Sequence, residues 1–433
     1  MKKTLLTSLV LGIAVFACQN MYAQTSLPHR GCGTMENYEM LKQQDPGLEA
    51  RMAALEEQTQ EYIKNNPPTA GQVVYTIPVV FHVVYQTAAQ NVSTACLNAQ
   101  LAVLNADFRK LNSDWTKVTQ PGWAALVADC EINFCLATKD PTGATMATPG
   151  ITRTQTSVTS WSTNNAVKYT APAGAGGHDV WDRTKYLNIW VCNLGGGLLG
   201  YAQFPGGAAA TDGVVISYAY MVGSAGCGAA PYNLGRTATH EIGHWIDLRH
   251  IWGDDGSACT GSDMVTDTPN QAGENYTAWA AGTIKTDACA TASPGFMWMN
   301  YMDYTDDAGM YMFTNGQKAR IAAAMNGSTR VGLKTSAATY CTGVGVNEIS
   351  LSDNISIFPN PSTGEVSITT LPNINAMDLK VYNAIGEAVV TKKINVSTSG
   401  ETKINLSTHP DGIYLFEIKT SEGTLTKKVV INR

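Results

Sequence analysis

A chain of 433 residues, 44% of them hydrophobic, has room for two or three domains. Its formal net charge of −6 argues against a nucleic-acid binder. Past the N-terminus no apolar run is long enough to span a bilayer, and ten cysteines are too few for a disulfide-framework miniprotein but enough to staple an exported enzyme.

The first residues read as an export signal. Lys2 and Lys3 carry the charge, residues 5–17 form the apolar core, and cleavage falls after Ala23. Residues 15–18 can instead be read as a lipoprotein box ending in Cys18, with an atypical Phe16. The next stretch, to about residue 69, is polar and charged. Residues 48–65 have helical periodicity, and Asn66, Pro67 and Pro68 close it. Early in this stretch stands RGCGT at 30–34. A cysteine between glycines can bring a thiolate to a metal; a disulfide or a free thiol is the alternative for Cys32.

Residues 73–85 are β-branched and aromatic and read as a buried strand, with His82 as a hydrogen-bonded core residue. Residues 93–112 read as a helix on the stripe Ala99, Leu101, Leu104 and Phe108. Strands follow at 133–137, 187–192 and 213–218, with a Ser-, Thr-, Ala- and Gly-rich loop at 157–177 and a structural His178 after it.

The stretch HEIGHWIDLRH at 240–250 dominates the chain. Residues four apart share a helical face, so His240 and His244 can hold one metal ion. His250 reaches the same ion only if the helix ends near Asp247 and the chain turns back. Asp tolerates the left-handed backbone that such a turn needs. Three imidazoles suit zinc and leave a position for water, and Glu241 is placed to take that water's proton. After a long insertion over 253–296, residues 313–325 read as the last helix of this unit, with Thr314 as its N-cap.

This stretch resembles the metzincin signature H-E-x-x-H-x-x-G-x-x-H, with Asp247 at the glycine position. The words HW at 244–245 and HIW at 250–252 resemble the pappalysin branch, which tolerates other residues there. The resemblance covers about residues 30–340 and implies an α+β metzincin-like zinc peptidase domain: a mixed twisted sheet plus helices, with the zinc-binding helix at the active site. It further implies Cys32 as a fourth zinc ligand in a zymogen, because bacterial relatives carry a similar Arg-x-Cys-Gly word. It implies an edge strand at 199–207 (LGYAQFPGG), where Gly200, Tyr201 and Ala202 pair with an extended peptide through their backbone. The family binds calcium near a word like SDMVTDTP at 262–269, which makes Asp263, Asp267 and Thr268 oxygen ligands, and it pairs Cys259 with Cys289. Met302 matches the methionine packed beneath the zinc, Tyr304 a tyrosine that donates to the oxyanion, and Asp307 the base of the pocket for the residue after the scissile bond. A carboxylate there favours Arg, and Lys less so. Gly309 stands where the family often has a cysteine, so one family disulfide is missing; the pairing of Cys96, Cys130, Cys135, Cys192, Cys227 and Cys341 stays open.

From residue 343 short alternating strands (365–370, 378–383, 387–395, 402–406, 412–419 and 423–432) read as a small all-β Ig-like sandwich. Its PNP, DGIY and KKVV words resemble the C-terminal sorting domain of type IX secretion; a carbohydrate- or protein-binding sandwich is the alternative. The expected division is a signal peptide at 1–23, a propeptide with its cysteine switch at 24–71, a catalytic domain at 72–342 and the sorting domain at 343–433. The expected function is a secreted or cell-surface zinc endopeptidase that acts on proteins or peptides, meets the type IX machinery and binds no nucleic acid. The rival readings are a non-catalytic adhesin that retains the fold and a hydrolase of non-peptide amides.

Overall fold

The computed structural model describes residues 29–66, 74–171, 176–223, 226–341, 355–370, 376–395, 401–420 and 423–433. The export signal, Cys18 and the expected boundaries near 71 and 342 lie outside them.

Strand β2 (Tyr75–Tyr85) is the spine of the first unit. Its β-branched and aromatic run is buried from Ile77 to Val84, as a parallel strand covered on both faces requires. β3 (Ile132–Leu136) pairs with its first half and β4 (Ile151–Gln155) with its second, while β5 (Leu187–Cys192) lines its other side. The sheet continues through β7 (Val214–Ser217) to β6 (Leu198–Ala202), which alone runs antiparallel to its β7 neighbour. Beyond β6 lies a two-residue strand, β1 (Gly31–Cys32), paired parallel to it. The mixed sheet thus matches the expectation, and without β1 the strand β6 would be its edge. β4 is not announced by its pattern, because ITRTQ has one apolar residue in five.

Helices α1 (Thr34–Gln44) and α2 (Leu48–Asn65) follow β1. Helix α3 (Thr94–Phe108) is capped by the Ser93 hydroxyl on the Cys96 amide. Helix α4 (Arg236–Trp245) is buried at every residue, packed against β6, β7 and α3. Its first turn is anchored by a buried charge pair: Arg236 bonds Asp107 of α3, and the Thr239 hydroxyl donates to the same carboxylate at 2.6 Å. Helix α5 (Asn315–Asn326) starts on a capping box between Thr314 and Gln317. It is not the last helix of the unit, as expected, because α6 (Leu333–Tyr340) follows. With Leu333 and Ala337 as its buried apolar residues, α6 has little stripe to read. It is held instead by the Cys135–Cys341 bond, which ties its end to β3. Cys96–Cys227 and Cys259–Cys289 are also bonded; the second is the expected pair.

The C-terminal unit has two antiparallel sheets. One orders β11 (Ala388–Asn395), β10 (Ala376–Tyr382), β13 (Gly412–Thr420) and β14 (Gly423–Ile431); the other orders β12 (Glu401–Asn405), β9 (Glu365–Thr370) and β8 (Ile355–Phe358). Ile355, Val366, Leu379, Phe416 and Val429 belong to one shared apolar cluster between them, as an aligned sandwich demands. Among the described residues no helix is long and apolar enough to cross a membrane.

His82 is a satisfied core residue. Its Nδ1 lies 2.8 Å from the Thr152 hydroxyl and its Nε2 3.0 Å from Asn188 Oδ1, with the His178 ring stacked on it at 4.1 Å. Burial, and then the neighbouring His178, hold His82 well below the ordinary imidazole value of 6.5. The unfolded chain therefore takes up this proton at a higher pH than the folded one. The stability contributed by neutral His82 is complete above about pH 6.5 and is lost as pH falls below it. The melting temperature of a His82→Gln variant is expected to fall less steeply than that of the parent between about pH 7 and pH 5; equal slopes would remove His82 from the acid response.

Candidate active site

Helix α4 places His240 and His244 one turn apart on one face. It ends at Trp245, and Asp247 then adopts φ 76°, the left-handed turn that its position demands. The Leu248 amide bonds back to Gly243 O at 2.8 Å, and the reversed chain returns His250 to the other two rings. The Nε2 atoms of His240 and His250 each lie 3.1 Å from Nε2 of His244.

The other ring nitrogens explain this convergence. Nδ1 of His240 donates to Tyr301 O at 2.7 Å, that of His244 to Leu248 O at 2.8 Å, and that of His250 to both oxygens of Asp254 at 2.8 and 3.0 Å. With each Nδ1–H committed, three Nε2 lone pairs face one another. One proton can bridge only two of them, whereas one metal cation can accept all three lone pairs. Burial first, and then the adjacent imidazoles, hold His240 and His244 well below the usual range, so both rings are neutral. The Cys32 thiol completes the group: the four ligand atoms all lie within 4.8 Å of one another. Three imidazoles and a thiol are a zinc donor set. Among the described residues no other group of three or more His, Cys, Asp or Glu side chains converges in this way.

Glu241 lies beside the ligands and is buried. Its Oε2 accepts from the Thr34 hydroxyl at 3.0 Å and from the Cys32 thiol at 3.5 Å, and burial pushes its carboxyl up to about 7. Met302 packs under the helix. A Cβ on Gly243 would stand 2.5 Å from the Met302 sulfur, so only glycine lets this contact form. The Tyr304 ring packs on His240, His250 and Trp252, and its hydroxyl is 3.5 Å from Cys32 O.

Strand β1 brings Cys32 opposite Gly200, and the Gly33 amide donates to Gly200 O at 2.9 Å. A Cβ on Gly33 would meet Thr163 at 2.5 Å, so glycine is what lets the segment lie this close. Gly200 lies against Glu241, and the Ala202 amide is taken by the Thr34 hydroxyl at 2.9 Å. The Tyr201 side chain is fully buried in a cluster with Trp161, Val167 and Trp190, so only its backbone faces the groove.

Asp307 is fully buried. Its Oδ2 accepts from the amides of Leu234 at 2.8 Å and Arg236 at 3.2 Å, and its Oδ1 pairs with Arg30. Arg30 also reaches Thr305 O at 3.3 Å and lies 5.0 Å over the Tyr232 ring. Removing one partner from such a buried pair costs about 3–5 kcal/mol. The sequence reading did not single out Arg30, Thr34 or Asp254. For Arg30 a signal existed: in an extended chain residues two apart share a face, so Arg30 points with Cys32.

In the long insertion, Asp263 accepts from the Thr268 hydroxyl at 2.7 Å and the Val265 amide at 3.0 Å. Asp267 accepts from the Thr314 hydroxyl at 2.6 Å and the Gly316 amide at 2.8 Å, holding the start of α5. The three residues expected to bind calcium thus have hydrogen-bond partners within the protein.

The chain is similar to known metallopeptidases. The M43 peptidase family model, described as pregnancy-associated plasma protein-A, matches residues 177–326, and the secretion system C-terminal sorting domain matches residues 356–432. The latter, together with the extracellular relatives, marks the chain as secreted or cell-surface. A promirolysin mutant from Tannerella forsythia is 42% identical, covering 72% of this chain and 100% of that one, with a TM-score of 0.65. Mature mirolysin from the same organism, in complex with a cleaved peptide, is 46% identical over 63% of this chain and 100% of that one, with a TM-score of 0.59. Extracellular metalloproteases of Pyricularia oryzae and Verticillium alfalfae are 38% and 42% identical over 32% of this chain, covering 48% and 49% of their own lengths. The chain thus spans about half the length of the curated relatives it matches.

An Asp254→Asn variant is expected to bind zinc about 10- to 100-fold more weakly, because the second partner of a ligand imidazole sets its orientation and basicity. Competition with a chelating dye reads this directly. Unchanged affinity would mean that His250 is held without Asp254.

Proposed function

Because this chain belongs to the pappalysin, or M43, family of metallopeptidases, we propose that it is a secreted zinc endopeptidase made as a zymogen and exported through type IX secretion. The observation that carries the reading is the convergence of His240, His244, His250 and Cys32 beside Glu241, on a segment laid along the free side of β6.

His240, His244 and His250 would hold the zinc. Bound there, zinc would supply Lewis acidity to a water and to the substrate carbonyl. Glu241 takes the proton of the attacking water and returns it to the departing amine; its carboxyl, isolated from solvent, has the environment of a general base. Tyr304, packed on two of the three imidazoles, donates its hydroxyl to the developing oxyanion. The backbone of Gly200, Tyr201 and Ala202 pairs with an extended peptide, whose affinity then depends little on sequence. Asp307 takes the side chain after the scissile bond. Arg30 supports this role, because a guanidinium already fits between Asp307, Thr305 O and the Tyr232 ring. Arg is therefore preferred over Lys.

The segment at 29–66 keeps the enzyme latent in this reading. Cys32 stands where water would bind, Thr34 engages Glu241, and Arg30 fills the pocket. Calcium at Asp263, Asp267 and Thr268 is the second cofactor of the reading, and it would have to displace the hydrogen bonds those side chains now make.

A peptide-library digest with mass-spectrometric readout tests these assignments, using the zinc-loaded chain freed of its N-terminal segment. Glu241→Ala is expected to abolish all cuts while zinc stays bound. Asp307→Ala is expected to lower cleavage before Arg selectively, by on the order of 100-fold for a lost buried ion pair; a surviving Arg preference would reject Asp307 as the pocket base. In the full chain, Cys32→Ala is expected to show activity before any processing.

A further inference from the structure

Helix α2 does not lie on the surface of one wall. On one side Leu48 and Met52 pack on Phe204, whose ring is 5.4 Å from that of His244, and Arg51 Nε donates to Gly206 O at 3.1 Å. On the other side Glu56 reaches Arg320, and Tyr62 OH accepts from Asn326 of α5 at 3.0 Å. One helix therefore touches the turn that follows β6 and, opposite it, the turn between the second and third histidines. It fills the end of the groove beyond the histidines.

The Glu56 contact is specific. Both its oxygens accept from Arg320, Oε1 from Nη1 and Oε2 from Nη2, each at 2.8 Å, as a fork on a carboxylate. Arg320 itself is fully buried. Its remaining edge is fixed by Asp247, with Nη2 on Oδ2 at 2.7 Å and Nε on the carbonyl at 3.2 Å. Arg249 stands 4.0 Å from the same Glu56 oxygen, and Asp263 also lies within the field of Arg320. Asp247 thus pre-aims the guanidinium. When the N-terminal segment leaves, Nη1 and Nη2 both lose an acceptor while the group that orients them stays.

The direction of the groove follows from the segment itself. It passes Asp307 with Arg30, then the histidines with Cys32, then Phe204 with α2. A substrate whose residue after the scissile bond sits on Asp307 has its preceding residues at the Phe204 end. We propose that Arg320, oriented by Asp247 and flanked by Arg249, is a carboxylate-binding subsite that Glu56 fills in the latent chain and an acidic side chain N-terminal to the scissile bond fills in the active one. The inference rests on the peptidase reading and adds a second specificity determinant to it. Asp247 is then a positioning residue, which gives the non-glycine residue at the metal turn a role.

Three pairs of peptides decide it, each with Arg after the cut and either Glu or Gln at the second, third or fourth residue before it. The enzyme is the zinc-loaded chain after limited proteolysis removes its N-terminal segment. The Glu peptide of at least one pair is expected to be cut with a kcat/KM on the order of tenfold higher, the difference residing in KM. Arg320→Lys, which keeps the charge and loses the fork, is expected to shrink the Glu-to-Gln ratio of that pair whatever it does to the overall rate; a ratio equal to the parent's overturns the assignment to Arg320. Equal kcat/KM within all three pairs for the parent enzyme overturns the subsite, whatever the variant does. If no peptide is cut although zinc is bound, the peptidase reading falls and the subsite with it.

Discussion

Everything around the candidate active site follows from a single electrostatic demand. Three imidazoles have their Nδ1–H groups committed to Tyr301 O, Leu248 O and Asp254, so their Nε2 lone pairs point at a common centre. Lone pairs about 3 Å apart repel unless a cation lies between them. The fold meets this demand with buried supports on every side: α4 packed on the sheet, the Arg236–Asp107 pair at its first turn, and Met302 beneath Gly243. The turn at Asp247 is part of the same apparatus. Its φ of 76° brings His250 round, and its carboxylate is held by Arg320 rather than left unpaired.

The N-terminal segment makes the contacts that the proposed function assigns to a substrate. It adds a strand to β6, sets a guanidinium on Asp307 and brings a sulfur to the histidines. Strand β1 runs parallel to β6, so the backbone cannot make the register of an antiparallel peptide. Occupying the pockets while pairing in the opposite sense is one physical way for a chain to lie in its own groove without offering a bond to be cut. The contacts of the segment extend from Arg30 to Tyr62.

Local chemistry was readable without coordinates wherever the signal lay in adjacent residues. Spacings of four and six in HEIGHWIDLRH required a helix that stops near Asp247, and α4 stops at Trp245. The β-branched runs of β2, β5 and β7 identified themselves, because a strand buried on both faces has no polar side to display. Signals failed where tertiary packing substitutes for local preference. β4 has one apolar residue and gains its place by pairing with β2, and α6 is a weak helix pinned by a disulfide.

The sequence by itself therefore determined that His240 and His244 share a helical face with Glu241 beside them, that His250 needs a turn to join them, and that an all-β unit follows a mixed one, since each is written in short-range spacing or periodicity. Tertiary structure alone decided which distant groups meet. Arg30 reaches Asp307 across 277 residues and Glu56 reaches Arg320 across 264, and Cys135 is bonded to Cys341 across 206. A charge states its sign in the sequence but not its partner. Which opposite charge it meets depends on how the sheet and helices bring remote segments together, and burial then makes that pairing obligatory.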